Sequence, residues 1–234
     1  MLTGVFANTI GVAIGALAGL AAKKVIPVRW KDAIMKGIGL CSIYIGISGA
    51  FEGQNSLILV ISMVLGTMIG EGIMLEERFN GFANRIEHQF SSDDDEGGFA
   101  NGFITASLLM CIGAMSIVGA MNAGLRGDNT LLFTKTVMDG ISSIMLAATM
   151  GIGVFFACVP ILVLEGSTAL LAGLVEPVLT DAVVSEMTCA GSIMIIAIGF
   201  NIVLGTKLKV LNFFPALFMP LLVCPAYDYI ATMF

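Results

Sequence analysis

From Gly53 to Gly70 the chain runs GQNSLILVISMVLGTMIG without a single charge, a stretch long enough to cross the hydrocarbon core of a bilayer, and it ends on a lone acid, Glu71. Apolar segments of this length recur from one end of the sequence to the other. Hydrophobic residues make up 57% of the chain and charged residues 12%, with a mean hydropathy of +0.97. A soluble core of 234 residues cannot bury that much apolar surface. These features define an all-α, polytopic transmembrane helical bundle, with the lipid bilayer as its first partner.

At roughly 20 residues per crossing the chain has room for seven or eight spans and for no separate soluble domain. The spans fall near 3–22, 33–51, 56–75, 101–122, 137–158, 187–205 and 211–232, with an ambiguous stretch at 159–186. Residues 1–234 thus form one integral membrane domain: three N-terminal spans through residue 75, a polar loop at 76–100, and the C-terminal spans from 101 onward. No basic residue precedes the first apolar run, whereas Lys23, Lys24, Arg29, Lys31 and Lys36 follow it, the reverse of a cleaved signal peptide. Because positive charge marks the cytoplasmic side, the N-terminus is expected outside the cytoplasm.

The loop that opens with LEERFNGFANRIEHQF sets Leu75, Phe79, Phe82, Ile86 and Phe90 three and four apart, the spacing of an amphipathic helix lying along the inner membrane surface; a solvated linker is the alternative. The acidic tract SSDDDE follows it and accounts for part of the net charge of -6. Residues 159–186 are apolar but interrupted at Glu165-Gly166, Gly173 and Glu176-Pro177. Glycine weakens a helix and proline removes a backbone donor, so a broken or re-entrant helix is expected at 159–180. Lys207 and Lys209 fall on the cytoplasmic side only if that stretch crosses fully, which favours eight crossings; seven spans with a re-entrant hairpin is the other arrangement. SMVLGTMIG at 62–70 and IMLAATMGI at 144–152 align on Thr-Met pairs, and this hints at an internal repeat.

Gly11, Gly15 and Gly19 recur every four residues and give the first span a small face for close helix packing, within the chain or between copies in a homo-oligomer. The five cysteines lie in apolar runs without CxxC spacing, and the single histidine, His88, is in the polar loop. Neither a metal site nor a cofactor is expected. Without a basic stripe, no nucleic-acid partner is expected either.

Polar groups inside the apolar runs carry the functional signal. Asn8 lies in the first span and Asn201 in the penultimate; Asp139, Ser142 and Ser143 sit together in KTVMDGISSIM, with Thr149 two turns further on. Spacings of three and four put the first three on one helical face, as either oxygen ligands for an ion or a cap on the helix N-terminus. A carboxylate near mid-bilayer costs about 3 kcal/mol or more, so it must be paired, protonated or wet. Lys135, one turn before Asp139, is its obvious partner. Glu165 and Glu176 flank the interruption in the broken segment, and Glu71 ends the third span; each marks either an ion pathway or the membrane boundary.

The strings MLTGVFANTIGVAIGALAGL, KDAIMKGIGLCSIYIGI, VLGTMIGE, TASLLMCIGAMSIVGA, TKTVMDGISSIMLAATMGIGV, GSTALLAGLVEPVLTDAVVSEMTCAGS and KVLNFFPAL together resemble the bacterial membrane proteins of domain-of-unknown-function family 554, the YqgA/YdfK-like proteins. The resemblance covers nearly the whole chain. It implies a polytopic protein of the bacterial inner membrane and supplies no role for any residue. Two functions compete: a secondary transporter or channel for an ion or small solute, and a non-transporting scaffold or assembly protein. An enzyme is not expected, because the spans lack a histidine or an activated nucleophile. A transporter should gather Asp139, Glu165 or Glu176 around one site; a scaffold should bury them in pairs or leave them at the surface.

Overall fold

The computed structural model describes residues 2–23, 28–81 and 99–231, and among them the regular structure is helical throughout. In chain order the helices are α1 (Thr3–Lys23), α2 (Val28–Ala50), α3 (Ser56–Gly72), α4 (Leu75–Gly81), α5 (Phe99–Cys111), α6 (Ala114–Arg126), α7 (Thr130–Met150), α8 (Gly153–Phe156), α9 (Cys158–Leu170), α10 (Ala172–Val175), α11 (Asp181–Leu204), a 3-10 helix (Val210–Leu217) and α12 (Pro220–Ala231). Five stretches are long and apolar enough to cross a membrane unaided, and up to eight are if each bent pair counts as one span. The bent pairs are α3 with α4 (48°), α5 with α6 (58°) and the 3-10 helix with α12 (45°).

Several boundaries differ from those read in the sequence. The span expected at 101–122 is two helices, because Ile112 and Gly113 interrupt it and Gly113 has φ 139°, a conformation that only glycine adopts readily. The span expected at 137–158 begins at Thr130 instead and stops at Gly151, also at positive φ. Asp139 is therefore well inside α7 rather than capping its start. Glu165-Gly166 does not interrupt a helix: both lie within α9, residues 153–170 form one candidate span, and the break falls at Leu171. The final span, expected over 211–232, starts as a 3-10 helix containing Pro215. Of the expected amphipathic helix, Leu75–Gly81 is α4; its remainder and the SSDDDE tract lie outside the described residues.

The chain divides into two compact units, residues 1–38 with 79–174 and residues 39–78 with 175–234, so each unit draws on separated parts of the sequence. In the first unit α1 packs parallel to α7 through its small face. A Cβ placed on Gly11 would meet the Thr136 side chain at 2.7 Å, one on Gly15 would meet the Gly140 carbonyl at 2.3 Å, and one on Gly19 would meet the Ile144 carbonyl at 2.2 Å. The glycine face thus serves packing within the chain. Val5, Ala120, Ala123, Leu132 and Ala169 form a small-residue core beside it. On the opposite side of α7, Phe133, Val137, Ile141 and Met145 are exposed at four-residue spacing, while Leu132, Lys135, Asp139 and Ser143 are buried. Charge inside and hydrocarbon outside is the polarity a bilayer selects.

In the second unit α11 runs antiparallel to α2, with Gly46 against Ile196 and Ser192 and Gly39 against Val203. The 3-10 helix runs antiparallel to α3, with Gly66 against Ala216 and Gly70 against Asn212. The Glu186 carboxylate near the start of α11 accepts the N–H groups of Gln54 and Asn55 at the start of α3. Beyond the end of α11, Lys209 pairs with Glu77 at 2.6 Å and Glu71 at 3.5 Å, just past and at the end of α3. Those carboxylates hold the Lys209 ammonium above the usual lysine range, the bond to Glu77 first. Hence α3 and α11 are parallel. An odd number of crossings must separate two parallel spans, and α5/α6, α7 and α8/α9 supply three. That parity is the one the eight-crossing arrangement requires, and it sets Lys209 beside the end of α3.

Candidate functional site

Three helices of the first unit bring four polar residues to the same point. Asn8 on α1 and Glu165 on α9 are 0% and 1% exposed, and Lys135 and Asp139 on α7 are 6% and 8% exposed. The Asn8 Nδ2 amide donates to Glu165 Oε1 at 2.9 Å and to Asp139 Oδ2 at 3.2 Å. The Lys135 ammonium donates to Asp139 Oδ2 and lies 3.9 Å from Glu165 Oε1. Asn8 can reach α7 because Gly11 and Gly15 let the two backbones approach closely. At 1.5 Å per residue, Asn8 is about 7.5 Å from the start of α1 and Asp139 about 13.5 Å from the start of α7, so the cluster lies within these helices rather than at their ends.

A fourth element completes the surroundings. The carbonyl of Met110, in the last turn of α5, accepts from Lys135 Nζ and from the Ser116 hydroxyl. Because the chain breaks at Ile112 and Gly113, this carbonyl belongs to a helix end and carries the negative end of the α5 dipole, which favours a cation there. Cys111 adjoins it, within electrostatic reach of Lys135, Glu165 and Asp139. A discontinuous helix whose end meets buried charges is a recurrent way to build an ion site inside a membrane.

The charges do not balance. With both carboxylates ionised, Asp139 and Glu165 face the single positive charge of Lys135, leaving one surplus negative charge. Two acceptor atoms of the cluster, Glu165 Oε2 and Asn8 Oδ1, are buried with no hydrogen-bond partner. An unpaired polar atom is costly away from water, and a buried charge more so.

Other expected site residues stand elsewhere. Ser142 is exposed and donates to the Met138 carbonyl, so it does not share the buried face of Asp139. Ser143 is buried against Gly15 and bonds to the Gly140 carbonyl, and Thr149 bonds to the carbonyls of Met145 and Leu146; both satisfy themselves within α7. Asn201 closes the turn after α11, donating to the Leu208 carbonyl and accepting from Leu208 N–H and the Thr206 hydroxyl. Glu176 is exposed in the turn after α10. Glu71 accepts from Asn212 Nδ2 and pairs with Lys209, with its side chain more than half exposed. Sequence reasoning did not single out Glu186 or Asn212. Glu186 is a lone acid in an apolar run, the signal that marked Glu71, but the span drawn from 187 excluded it by one residue.

The fold and this interior site define a polytopic helical membrane protein. Residues 3–224 match the family model described as a protein of unknown function, DUF554, and the chain belongs to that family. It is 33% identical over 221 residues to the uncharacterized membrane protein YdfK of Bacillus subtilis (strain 168), covering 93% of each chain. It is 27% identical over 222 residues to the uncharacterized protein YqgA of Escherichia coli (strain K12), covering 94% of each. No solved structure matches.

Proposed function

We propose that this protein is a secondary transporter or channel for an ion or small solute, in the bacterial inner membrane, with its N-terminus outside the cytoplasm. The reading rests chiefly on one observation: a charge-unbalanced cluster of Asn8, Lys135, Asp139 and Glu165 inside the helical bundle, set against the free end of the interrupted helix α5. A membrane protein that needed only a packed interior would be as stable or more so with apolar residues there. Ionisable groups inside a membrane bundle characteristically mark ion and proton pathways. In this reading the chain carries out no catalytic step and has no nucleic-acid partner. A homo-oligomer would have to form through faces other than the α1 glycines, which α7 covers.

A scaffold is the second reading, favoured by the direct pairing of Lys135 with Asp139. Reconstituted liposomes separate the two. Flux of protons or common ions in the wild type, reduced at least tenfold by Asp139→Asn or Glu165→Gln and unchanged by Glu176→Gln, is the transporter's expected result. Flux no greater than that of empty liposomes across these ions and a panel of small solutes would assign the scaffold.

A further inference from the structure

We propose that the cluster holds one exchangeable proton on Glu165 Oε2 and that this proton is the coupling ion; the second half of the proposal rests on the transport reading above. The hydrogen-bond pattern identifies the atom. Both groups that reach Glu165, the Asn8 amide and the Lys135 ammonium, approach Oε1, whereas Oε2 and the neighbouring Asn8 Oδ1 are buried acceptors without a donor. A proton on Oε2 turns one orphan acceptor into a donor and cancels the surplus negative charge of the two acids and one lysine. One particle thereby removes both defects.

A metal cation answers the same charge count less well. The ammonium of Lys135 already occupies the position between the two carboxylates, and the Met110 carbonyl already accepts from it. Among the described residues no group of three or more His, Cys, Asp or Glu side chains is arranged to hold a metal. Nor does the remaining environment supply another charge. Around Glu165 the titratable and charged groups are Lys135 and Asp139 from α7 and Cys111 from α5, with Asn8 the polar group from α1; α8 has none, and the one charged residue of α6, Arg126, is exposed at its far end. Glu186 in the other unit also has a buried Oε2 without a partner, but two backbone N–H groups donate to its Oε1, so an orphan oxygen alone does not single out Glu165; its place beside a second acid and a single lysine does.

The step itself is simple. Water on one side delivers a proton to the Glu165 carboxylate, the O–H bond forms on Oε2, and the same bond breaks when the site opens to water on the other side. The chain needs no oxidant, reductant or covalent intermediate for this.

Infrared difference spectroscopy of the purified full-length protein at neutral pH tests the proton apart from transport. We expect a carboxylic-acid carbonyl band in the wild type, shifted in D2O and lost in Glu165→Gln, whose amide keeps the shape of a protonated glutamate. Asp139→Asn should also lose the band, because one acid then faces one lysine and Glu165 ionises. No such band in the folded wild type, or a band that persists in folded Glu165→Gln, overturns the proton site. Proton flux in reconstituted liposomes then decides the coupling. A Glu165 band with proton-coupled flux carries the whole proposal. The band with no flux of any kind keeps the proton site and sinks the transport reading, whereas flux without the band keeps transport and sinks the proton.

Discussion

At the residue scale, Lys135 should be the least replaceable side chain of the site. Lys135→Met leaves Asp139 and Glu165 facing each other without a cation, and breaking a buried pair in this way costs about 3–5 kcal/mol. Thermal unfolding in detergent should show a large loss for Lys135→Met and substantial recovery in Lys135→Met/Asp139→Asn; equal losses in the two proteins would mean that the charges are not coupled. The separate legibility of these residues is instructive. Asn8, Asp139 and Glu165 stood out in the sequence as polar groups in apolar runs, and Lys135 stood out as the partner one helical turn from Asp139. That Asn8 bridges the two acids was not legible, since they are separated from it by 131 and 157 positions. Ser142 and Ser143 show the limit of helical spacing: they are adjacent, yet one faces out and the other α1.

At the element scale, close approach between helices sets the sensitivity. A Cβ at Gly15 or Gly19 would collide with backbone carbonyls of α7, which cannot rotate away, whereas at Gly11 it would meet a threonine methyl. Gly15→Ala and Gly19→Ala should therefore destabilise the protein by about 1–3 kcal/mol, with Gly11→Ala the mildest of the three. A melting series in detergent checks the order, and a mild Gly15→Ala would show that α1 and α7 do not pack this closely. Gly113 tests a different constraint, because a Cβ there meets nothing within 4 Å and only its φ of 139° is at issue. Gly113→Ala should cost about 1–3 kcal/mol through backbone strain alone. A melting curve in detergent checks this, and unchanged stability would mean that the break is not required.

At the scale of the whole molecule, crossing parity makes a topological prediction. Cysteines introduced by Arg78→Cys and Lys207→Cys should react with an impermeant thiol reagent from one face of the membrane, and one introduced by Asp128→Cys from the other. Labelling of Lys207→Cys and Asp128→Cys from the same face would remove the eight-crossing arrangement. The sequence alone determined that this is an α-helical membrane protein with nearly all of its spans in place, because the apolar length needed to cross a bilayer is a local property of consecutive residues. It also marked which polar residues were costly to bury. Where helices break was only partly legible: glycine and proline weaken a helix, but Gly166 stays helical inside α9 while Gly113 and Gly151 take up positive φ where helices end. Tertiary structure alone decided which helices pair and which polar groups converge. Those outcomes depend on backbones meeting across long sequence separations, and on a balance of charge that exists only once Asn8, Lys135, Asp139 and Glu165 are brought to one place.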